Sequence, residues 1–423
     1  MKRHLIGIGG VGMSALATAL VRLGDEVTGA DRTLGTPNIR FLESLGVKVY
    51  PDDGSGVDSS TDEVIVSTAI EETNAGLIKA KELGIPVTHR AKALARTLKD
   101  YKLVAVVGTC GKSTVTAMLG HVLAECGLDP MCVNGANVPG WEGAVRFGKG
   151  EYAVAEVDES DKSLVAFKPY AAIVTNASAD HYSKEEMDEV FDAFVKDCEG
   201  PVVDGRNVEV WKHGNGGIDE LGNGEIGEWV TPLPGKHNLQ NAALAAKMAL
   251  ALGCRAEGIK RALASFRGVE RRLQLITSQT SKPSKPFVYD DYAHNPEKLK
   301  AMWTTLAEKY PEGICVVWRP HGYAPLRKMM DALTAMFVET VRPCDKLLLL
   351  PVYDAGGTTD RSVNSGELKV EVERKGGQRI ELVPDLNAAY AWCAAHKGDY
   401  AAFVTCGARD PGLPLLAKRL SEM

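Results

Sequence analysis

The sequence predicts an α/β protein in which three parallel sheets, each covered by helices, follow one another along the chain. Short apolar strands alternate with helical segments from end to end, a pattern typical of parallel sheets with right-handed crossovers. Two glycine-containing loops each lead from a strand into a helix. The chain has 423 residues, which is too long for one core, since a domain usually holds about 100–200 residues.

Composition narrows the class of protein. Hydrophobic residues make up 45% and charged residues 25%, as in an ordinary globular protein. The net charge of -6 leaves no basic footprint for nucleic acid, and no apolar run approaches the roughly 20 residues that span a bilayer. The nine cysteines form no CxxC pair. We therefore expect free thiols in a reducing, cytoplasmic setting, with neither nucleic acid nor membrane as a partner.

The first domain is expected to span residues 1–98 and to alternate in βαβ fashion. Lys2-Arg3-His4 before an apolar stretch also resembles a signal peptide, but four glycines within that stretch favour a strand, a turn and a helix. The predicted elements are a strand at His4–Ile8, a turn at Gly9–Gly12, a helix at Met13–Leu23, a strand at Glu26–Gly29 with Asp31 at its end, a strand at Glu63–Ser67, a helix at Ala75–Leu83 and a strand at Pro86–Thr88.

The first glycine loop fits a diphosphate. Gly7, Gly9 and Gly12 form G-x-G-x-x-G, which lets the backbone approach phosphates at a helix N-terminus. Asp31 lies at the end of the second strand, where an acidic residue often meets a ribose hydroxyl. This pattern alone favours an NAD-dependent dehydrogenase, although the same geometry serves other nucleotide diphosphates, and the ATP loop described next argues against a simple dehydrogenase.

A second loop predicts an ATP site in a central domain over residues 99–268. The apolar strand Leu103–Val107 runs into Gly108–Ser113, and a helix follows over Ser113–Glu125. Lys112 would reach the β- and γ-phosphates, and the Ser113 hydroxyl would bind Mg²⁺. Because Val106 stands where the strict phosphate-loop pattern has its first glycine, an ordinary β-turn before a helix is the alternative.

Polar residues follow two further strands of this domain. Glu156 ends the predicted strand Tyr152–Glu156, and Asp180-His181 come shortly after the strand Ala171–Thr175 and Asn176. Carboxylates at the carboxyl end of a parallel sheet are suited to hold Mg²⁺ beside a phosphate loop. The alternative is a solvated acidic loop with a surface histidine.

Between the predicted domains lie a linker at Arg96–Lys102 and a junction at Gly268–Arg272, and the central domain also holds a surface hairpin or loop at Gly214–Glu228 and a helix at Asn238–Leu252. The alternation continues in a third domain over residues 269–423, with strands at Phe287–Asp290, Ile314–Trp318, Lys346–Pro351 and Ala402–Thr405 and a helix at Pro296–Lys309.

Seven motifs in this order and at these spacings resemble the Mur ligases, ATP-dependent amide-forming enzymes of peptidoglycan precursor synthesis. The resemblance covers nearly the whole chain and is strongest to the branch that adds the first amino acid to UDP-N-acetylmuramate. The motifs are GIGGVGMSALA at Gly7–Ala17, GTCGKST at Gly108–Thr114, AEVDESD at Ala155–Asp161, TNASADH at Thr175–His181, GKHNLQNA at Gly235–Ala242, GVERR at Gly268–Arg272 and DDYAHNP at Asp290–Pro296.

The resemblance implies a three-domain fold: an N-terminal Rossmann-like domain, a central P-loop ATPase-like domain and a C-terminal Rossmann-like domain. It also implies roles for individual residues. The ATP-binding residues would be Gly108, Thr109, Gly111, Lys112, Ser113, Thr114, His237, Asn238, Asn241, Arg272 and Asp291. Residues for the UDP group would be Gly9, Gly10, Gly12, Met13, Ser14 and Asp31. Ser113, Glu156 and His181 would hold Mg²⁺, and the catalytic set would be Lys112, Glu156, His181, Arg272 and His294.

The chain departs from the family on the amino-acid side of the site. Within Trp318–Tyr323, Gly322 replaces the arginine of the family motif FQPHRY. Pro325 and Leu326 replace an arginine and a threonine, whereas His321 and Arg327 are retained. The missing guanidinium puts L-alanine in doubt as the acceptor.

Three further features distinguish this chain from the family. A polar, glycine-rich loop over residues 353–362 could rebuild the acceptor pocket, with Arg361 as a carboxylate clamp. Cys110 stands where the branch has histidine, either as a small loop filler or, less favoured, for redox control. The segment from His181 to Gly235 is short for the central domain of the family.

The expected function is therefore an ATP- and Mg²⁺-dependent ligase that joins an amino acid to a UDP-N-acetylmuramate-type carboxylate through an acyl phosphate. The alternatives are a relative that acts on a murein peptide, a pseudomurein precursor or a cofactor precursor, or an inactive nucleotide-binding scaffold. The protein is expected to be a cytoplasmic monomer or homodimer.

Overall fold

The computed structural model describes residues 1–158, 163–177, 184–206, 218–220, 226–277, 286–354, 360–378 and 380–423. In this part of the chain the strands form one five-stranded sheet, two six-stranded sheets and one two-stranded hairpin. The α/β fold class is confirmed, since each of the three large sheets is built mainly from parallel strands joined through helices.

The N-terminal sheet is wholly parallel, in the order β3-β2-β1-β4-β5. Since crossovers leave in both directions from β1, the first glycine loop lies where the strand order reverses, the usual ligand position in such sheets. The elements of this part are β1 (Lys2–Ile6), α1 (Val11–Arg22), β2 (Glu26–Asp31), α2 (Pro37–Ser44), β3 (Lys48–Pro51), β4 (Glu63–Val66), α3 (Ala75–Glu82), β5 (Val87–His89) and α4 (Arg90–Thr97).

The central sheet has the order β11-β10-β6-β9-β7-β8, with β8 antiparallel to β7. The phosphate-loop strand β6 therefore lies inside the sheet, between β10 and β9. The elements are β6 (Lys102–Val107), α5 (Lys112–Glu125), β7 (Met131–Val133), β8 (Val145–Arg146), β9 (Tyr152–Glu156), a short 3₁₀ helix (Ser163–Ala166), β10 (Ala171–Val174), α6 (Lys184–Val195), β11 (Val202–Asp204), the hairpin β12 (Ile218–Glu220) and β13 (Ile226–Trp229), α7 (Lys236–Ala251) and α8 (Ala256–Ser265).

The first two sheets share one hydrophobic core. Leu16 of α1 and Leu94 of α4 belong to the same buried cluster as Leu103 of β6 and Met131 of β7. The chain accordingly divides into two compact units, Met1–Leu233 with His237–Val269, and Pro234–Lys236 with Glu270–Met423. The three domain boundaries at residues 98/99 and 268/269 remain a prediction.

The C-terminal sheet has the order β14-β15-β19-β16-β17-β18, parallel except for β14. Its two faces pack into two cores, one around Trp303 and Trp318 and the other around Phe403 and Leu416. The elements are β14 (Gln274–Leu275), β15 (Phe287–Asp291), α9 (Pro296–Lys309), β16 (Ile314–Trp318), α10 (Tyr323–Thr340), β17 (Lys346–Leu349), α11 (Ser365–Arg374), β18 (Glu381–Leu382), α12 (Leu386–Ala395), β19 (Ala402–Cys406) and α13 (Gly412–Ser421).

The predicted strand, turn and helix at the N-terminus are present as β1, the first glycine loop and α1. The predicted linker Arg96–Lys102 is partly wrong, because α4 continues to Thr97. Ala91, Ala93 and Leu94 bury one face of that helix. Among the described residues, no helix combines the length and apolarity needed to cross a bilayer.

Candidate functional site

The phosphate loop leaves the carboxyl end of β6 and enters α5. Gly108 has φ 126° and Gly111, the N-cap of α5, has φ 84°, a backbone region that L side chains rarely adopt. A Cβ at Gly108 would lie 2.1 Å from Thr175 Oγ1, and one at Gly111 would lie 2.6 Å from Asn241 Oδ1. Both glycines are therefore required by conformation and by close contact.

Residues that follow β10 hold the loop in shape. The Cys110 amide donates to Asn176 Oδ1 at 3.0 Å, and Asn176 Nδ2 donates to the Cys110 carbonyl oxygen at 2.9 Å. Thr175 Oγ1 donates to the same carbonyl at 2.6 Å. Because these contacts use the backbone of Cys110, they do not demand a particular side chain at that position.

The N-terminus of α5 provides the chemistry expected of a phosphate site. Ser113 and Thr114 are buried in its first turn, and Lys112 Nζ donates to the Gly108 carbonyl oxygen at 2.6 Å. A helix N-terminus presents unsatisfied N–H groups and a partial positive charge. The loop, which contains two glycines and is covered by the Lys112 side chain, therefore fits the phosphates of a nucleotide.

Glu156 lies beside the loop on the other side of β6. It is paired in register with Val106, and its Oε2 accepts a hydrogen bond from the Gly135 amide at 2.8 Å. A Cβ at Gly135 would come within 2.4 Å of this carboxylate, so Gly135 makes room for it. A carboxylate and the Ser113 hydroxyl are hard oxygen ligands of the kind Mg²⁺ prefers, so this donor set fits the ion.

The third predicted metal ligand, His181, lies outside the described residues. Among the residues that are described, no group of three or more His, Cys, Asp or Glu side chains is placed to hold a metal ion. The roles of Glu156 and Ser113 toward Mg²⁺ therefore rest on their position and on the oxygen chemistry that they offer.

Helix α7 closes the loop from a third side. Asn238 and Asn241 are buried, and Asn241 Nδ2 donates to Asn238 Oδ1 at 3.3 Å. His237 is exposed at the start of the same helix. The structure thus brings Asn241 to the phosphate loop, whereas it leaves His237 on the surface.

The N-terminal glycine loop is braced by Asp31. Asp31 Oδ2 accepts from the Gly9 amide at 2.9 Å, and Oδ1 accepts from the Thr33 amide at 3.0 Å. Asn38 Nδ2 donates to the Gly9 carbonyl oxygen at 3.0 Å. Asp31 therefore shapes the loop as well as being a predicted ribose ligand, and Asn38 is a contact that the sequence analysis missed.

The start of α1 completes this loop. Gly10 is its N-cap, and Met13 and Ser14 are buried in its first turns. A Cβ at Gly12 would lie 3.2 Å from Arg90 Nη1. This guanidinium, a second missed residue, adds a positive charge beside a loop that is predicted to hold a diphosphate.

In the second unit, Asp291 braces a strained turn. Its carboxylate accepts from the amides of Leu273 at 2.6 Å and Ala293 at 2.7 Å. Arg271 and Leu273 have φ of 59° and 45°, and Asp291 satisfies the backbone there. Burial raises the pKa of Asp291. A contact with ribose would therefore compete with two backbone hydrogen bonds.

Arg272 lies in this turn. Its guanidinium stands 5.4 Å from the centroid of the Tyr292 ring, and that of Arg271 stands 5.1 Å from the same ring. Arg271 forms an ion pair with the buried Asp290. The guanidinium groups of Arg271 and Arg272 thus both lie over the Tyr292 ring.

Two neutral histidines meet after β15 and β16. The rings of His294 and His321 are in edge contact, with centroids 4.8 Å apart. Burial lowers the pKa of His294 to about 4 and also lowers the pKa of His321. Since His294 Nδ1 donates to the Tyr292 carbonyl at 3.0 Å, its Nε2 is an acceptor in the neutral ring.

The two arginines predicted on the acceptor side are engaged by nearby carboxylates. Arg327 pairs with Asp360 at 2.7 Å and also donates to Ser362 Oγ. Arg361 makes two hydrogen bonds to Asp354, at 2.7 and 3.0 Å. A clamp role for Arg361 would need this ion pair to open. The middle of the loop, residues 355–359, lies outside the described residues.

A phosphate loop inside one parallel sheet and a glycine loop in its neighbour define an α/β enzyme of the nucleotide-dependent ligase type. Family models agree with this class. Residues 2–102 match a model described as "Mur ligase family, catalytic domain", and residues 271–409 match "Mur ligase, glutamate ligase domain".

Related proteins match this chain over nearly their whole length. A UDP-N-acetylmuramate–L-alanine ligase of Rubrobacter xylanophilus is 36% identical, with 99% of this chain and 100% of the relative covered. The same enzyme of Rhizobium etli is 31% identical over 99% and 97%. The crystal structure of the UDP-N-acetylmuramate-alanine ligase MurC of Thermotoga maritima matches with a TM-score of 0.82 and 26% identity over 100% and 98%.

The chain belongs to the Mur ligase family, and it is an ATP-dependent acid–amino-acid ligase. The resemblance found in the seven motifs is thereby confirmed. A murein peptide ligase of Psychrobacter arcticus shares the fold, with a TM-score of 0.67 and 20% identity.

Proposed function

We propose that this ligase joins an amino acid to the carboxylate of UDP-N-acetylmuramate and that the carboxylate is activated as an acyl phosphate. The observation that supports this most directly is the phosphate loop after β6, where Lys112 and Ser113 begin α5 and Glu156 ends the neighbouring strand β9. The names of the relatives supply the substrate pair.

In the first step a carboxylate oxygen attacks the γ-phosphorus of ATP and ADP leaves. Two anions must approach each other, so positive charge has to offset their repulsion. Lys112 would release the Gly108 carbonyl and bind the phosphates. Ser113 and Glu156, with His181, would hold Mg²⁺, which supplies charge neutralisation at the phosphate oxygens when bound.

In the second step the amine attacks the acyl carbon and inorganic phosphate leaves. The amine must be unprotonated to attack. Burial lowers the pKa of His294 to about 4, which makes its ring a weak base at neutral pH. Its Nε2 can accept a hydrogen bond from the amine, so we assign His294 to positioning the nucleophile.

The alternative substrates are a murein peptide, a pseudomurein precursor or a cofactor precursor. Gly322 in place of the family arginine keeps this alternative open, because it changes the acceptor side. An inactive scaffold is disfavoured, since the loop keeps Lys112, Ser113 and the two glycines that shape it. All nine cysteines are free thiols, which supports a reducing, cytoplasmic setting.

Phosphate release from ATP across a panel of carboxylates and amino acids tests the proposal, with products identified by mass spectrometry. Release that requires both UDP-N-acetylmuramate and an amino acid is expected. Lys112→Met should abolish it, whereas the exposed Lys149→Met serves as the matched control. Release only with a different carboxylate would overturn the substrate assignment.

A further inference from the structure

We propose that Arg409 supplies the guanidinium that binds the carboxylate of the acceptor amino acid, in the place left open by Gly322. This inference rests on the proposed ligase function. It names a specificity residue that the sequence analysis did not single out.

The position of Arg409 is set by neighbouring strands. It follows β19, and Gly322 follows β16, which pairs with β19 so that Trp318 lies beside Cys406. The two residues therefore leave the sheet at the same edge. A Cβ built at Gly322 would lie 3.9 Å from Arg409 Nη1, so an arginine at either position can serve the same region.

The surroundings of Arg409 suit an anion. Arg409 and Lys298 are the cations that face His321, and both contribute to its lowered pKa after burial. His294 lies in contact with His321 and faces Lys298 and Arg272. These are positive or neutral groups.

The carboxylate next to Arg409 in the sequence is paired with another arginine. Asp410, next in sequence, is buried and pairs with Arg319 at 2.5 Å. Within the described part of the chain, no ion pair or hydrogen bond engages the exposed Arg409 side chain. By contrast, Arg327 and Arg361 are held by Asp360 and Asp354. Unlike Arg327 and Arg361, Arg409 can therefore bind a carboxylate without breaking an existing ion pair.

A planar guanidinium binds a carboxylate through two parallel hydrogen bonds. A phosphate group could be bound by the same fork, so the two ligands must be separated by experiment. A carboxylate contact affects the amino acid alone, whereas a phosphate contact affects ATP or the transfer step.

The test compares Arg409→Ala with wild type in steady-state phosphate release, using each amino acid and its carboxamide as the acceptor. We expect KM for the amino acid to rise about 10- to 100-fold, with KM for ATP and for UDP-N-acetylmuramate nearly unchanged. The carboxamide should respond much less, because it lacks the charge. Arg419→Ala, which removes an exposed arginine of α13, is the matched control.

Rescue provides a second readout. Gly322 has extended backbone with φ 161°, and the nearest atom to an added Cβ is Pro325 Cδ at 3.4 Å. Gly322→Arg in the Arg409→Ala background should therefore recover most of the loss in KM. Circular dichroism checks that each variant is folded, and if the double variant is not, the carboxamide comparison decides.

Three results would overturn the inference while leaving the ligase function intact. They are an unchanged KM for the amino acid, an equal rise for amino acid and carboxamide, and a rise in KM for ATP. A wild-type protein that releases no phosphate with UDP-N-acetylmuramate and any amino acid would instead remove the proposed function, and the inference with it.

Discussion

The Asn176 side chain makes two hydrogen bonds to the backbone of Cys110, accepting one from its amide at 3.0 Å and donating one to its carbonyl oxygen at 2.9 Å. This amide side chain joins the end of β10 to the middle of the phosphate loop, a contact that spans 66 residues of sequence. The loop therefore keeps its shape through its neighbours as well as through its glycines.

Asn176→Ala should loosen the phosphate loop without removing any group predicted to touch ATP. Two hydrogen bonds to a partly buried backbone are lost, at a cost of about 1–3 kcal/mol. We expect KM for ATP to rise about tenfold and the first unit to unfold at lower urea concentration. Titration of ATP and urea unfolding measure the two effects. An unchanged KM for ATP would show that the hydrogen bonds between Asn176 and Cys110 do not shape the ATP site.

The two loop glycines should respond differently to compensating changes. Gly111→Ala brings its Cβ against the Asn241 side chain, so Asn241→Ala should restore part of the lost stability. Gly108→Ala also meets the backbone of Asn176, at 2.9 and 3.0 Å, so Thr175→Ala should restore little. Both alanines still carry the cost of a left-handed backbone, roughly 1–2 kcal/mol.

Urea unfolding of the two double-variant cycles measures this difference. Equal rescue in both cycles would mean that the side chains, rather than the backbone beside Gly108, limit the loop.

The substitution Glu156→Gln removes the negative charge of this side chain but keeps its hydrogen-bonding shape. Glutamine keeps an oxygen that can accept from the Gly135 amide, so stability should change by less than about 1 kcal/mol. If Glu156 helps to hold Mg²⁺, the Mg²⁺ concentration for half-maximal activity should rise and kcat should fall by roughly 100-fold or more. Phosphate release across a Mg²⁺ titration is the measurement. An unaltered Mg²⁺ response would remove Glu156 from the metal site.

His4 should make the first unit less stable in acid. It is 1% exposed, its Nδ1 lies 2.9 Å from Thr28 Oγ1, and burial lowers its pKa from 6.5 to about 4. The folded state then binds fewer protons than the unfolded state between these values. Stability from this group is present above pH 6.5 and falls as pH drops toward 4, by up to about 3 kcal/mol.

His4→Asn keeps a polar atom near Thr28 but does not titrate in this range. The stability advantage of wild type over this variant should therefore shrink between pH 6.5 and 4. Urea unfolding at each pH, read by pulse-labelled hydrogen exchange in peptides from residues 1–98, measures it. An advantage independent of pH would contradict the assignment.

Local patterns predicted much of the fold and part of the site. Gly108, Gly111 and Lys112 belong to one short motif, and the bounds predicted for Tyr152–Glu156, Pro296–Lys309 and Ile314–Trp318 agree with β9, α9 and β16. Helix α4 was not predicted, and its last two residues were assigned to a linker, because its buried stripe of Ala91, Ala93 and Leu94 is short and weakly apolar.

Contacts between distant segments could not be predicted from these patterns. Asn38 reaches Gly9 and Asn176 reaches Cys110 only because the strands and loops that carry them are neighbours in the folded sheets. The approach of Arg409 to Gly322 likewise depends on the pairing of β16 with β19. By contrast, the ion pair between Arg361 and Asp354 is local in sequence. The opposite charges of these residues, seven positions apart, could have predicted it.

The proposed reaction activates a carboxylate by phosphorylation before the amide forms. An oxygen-18 transfer experiment detects this step, with UDP-N-acetylmuramate labelled in both carboxylate oxygens, ATP, Mg²⁺ and the acceptor amino acid. We expect each released phosphate to carry one labelled oxygen, because the attacking carboxylate oxygen leaves with the phosphoryl group. Phosphate without the label, released while the amide product forms, would contradict it.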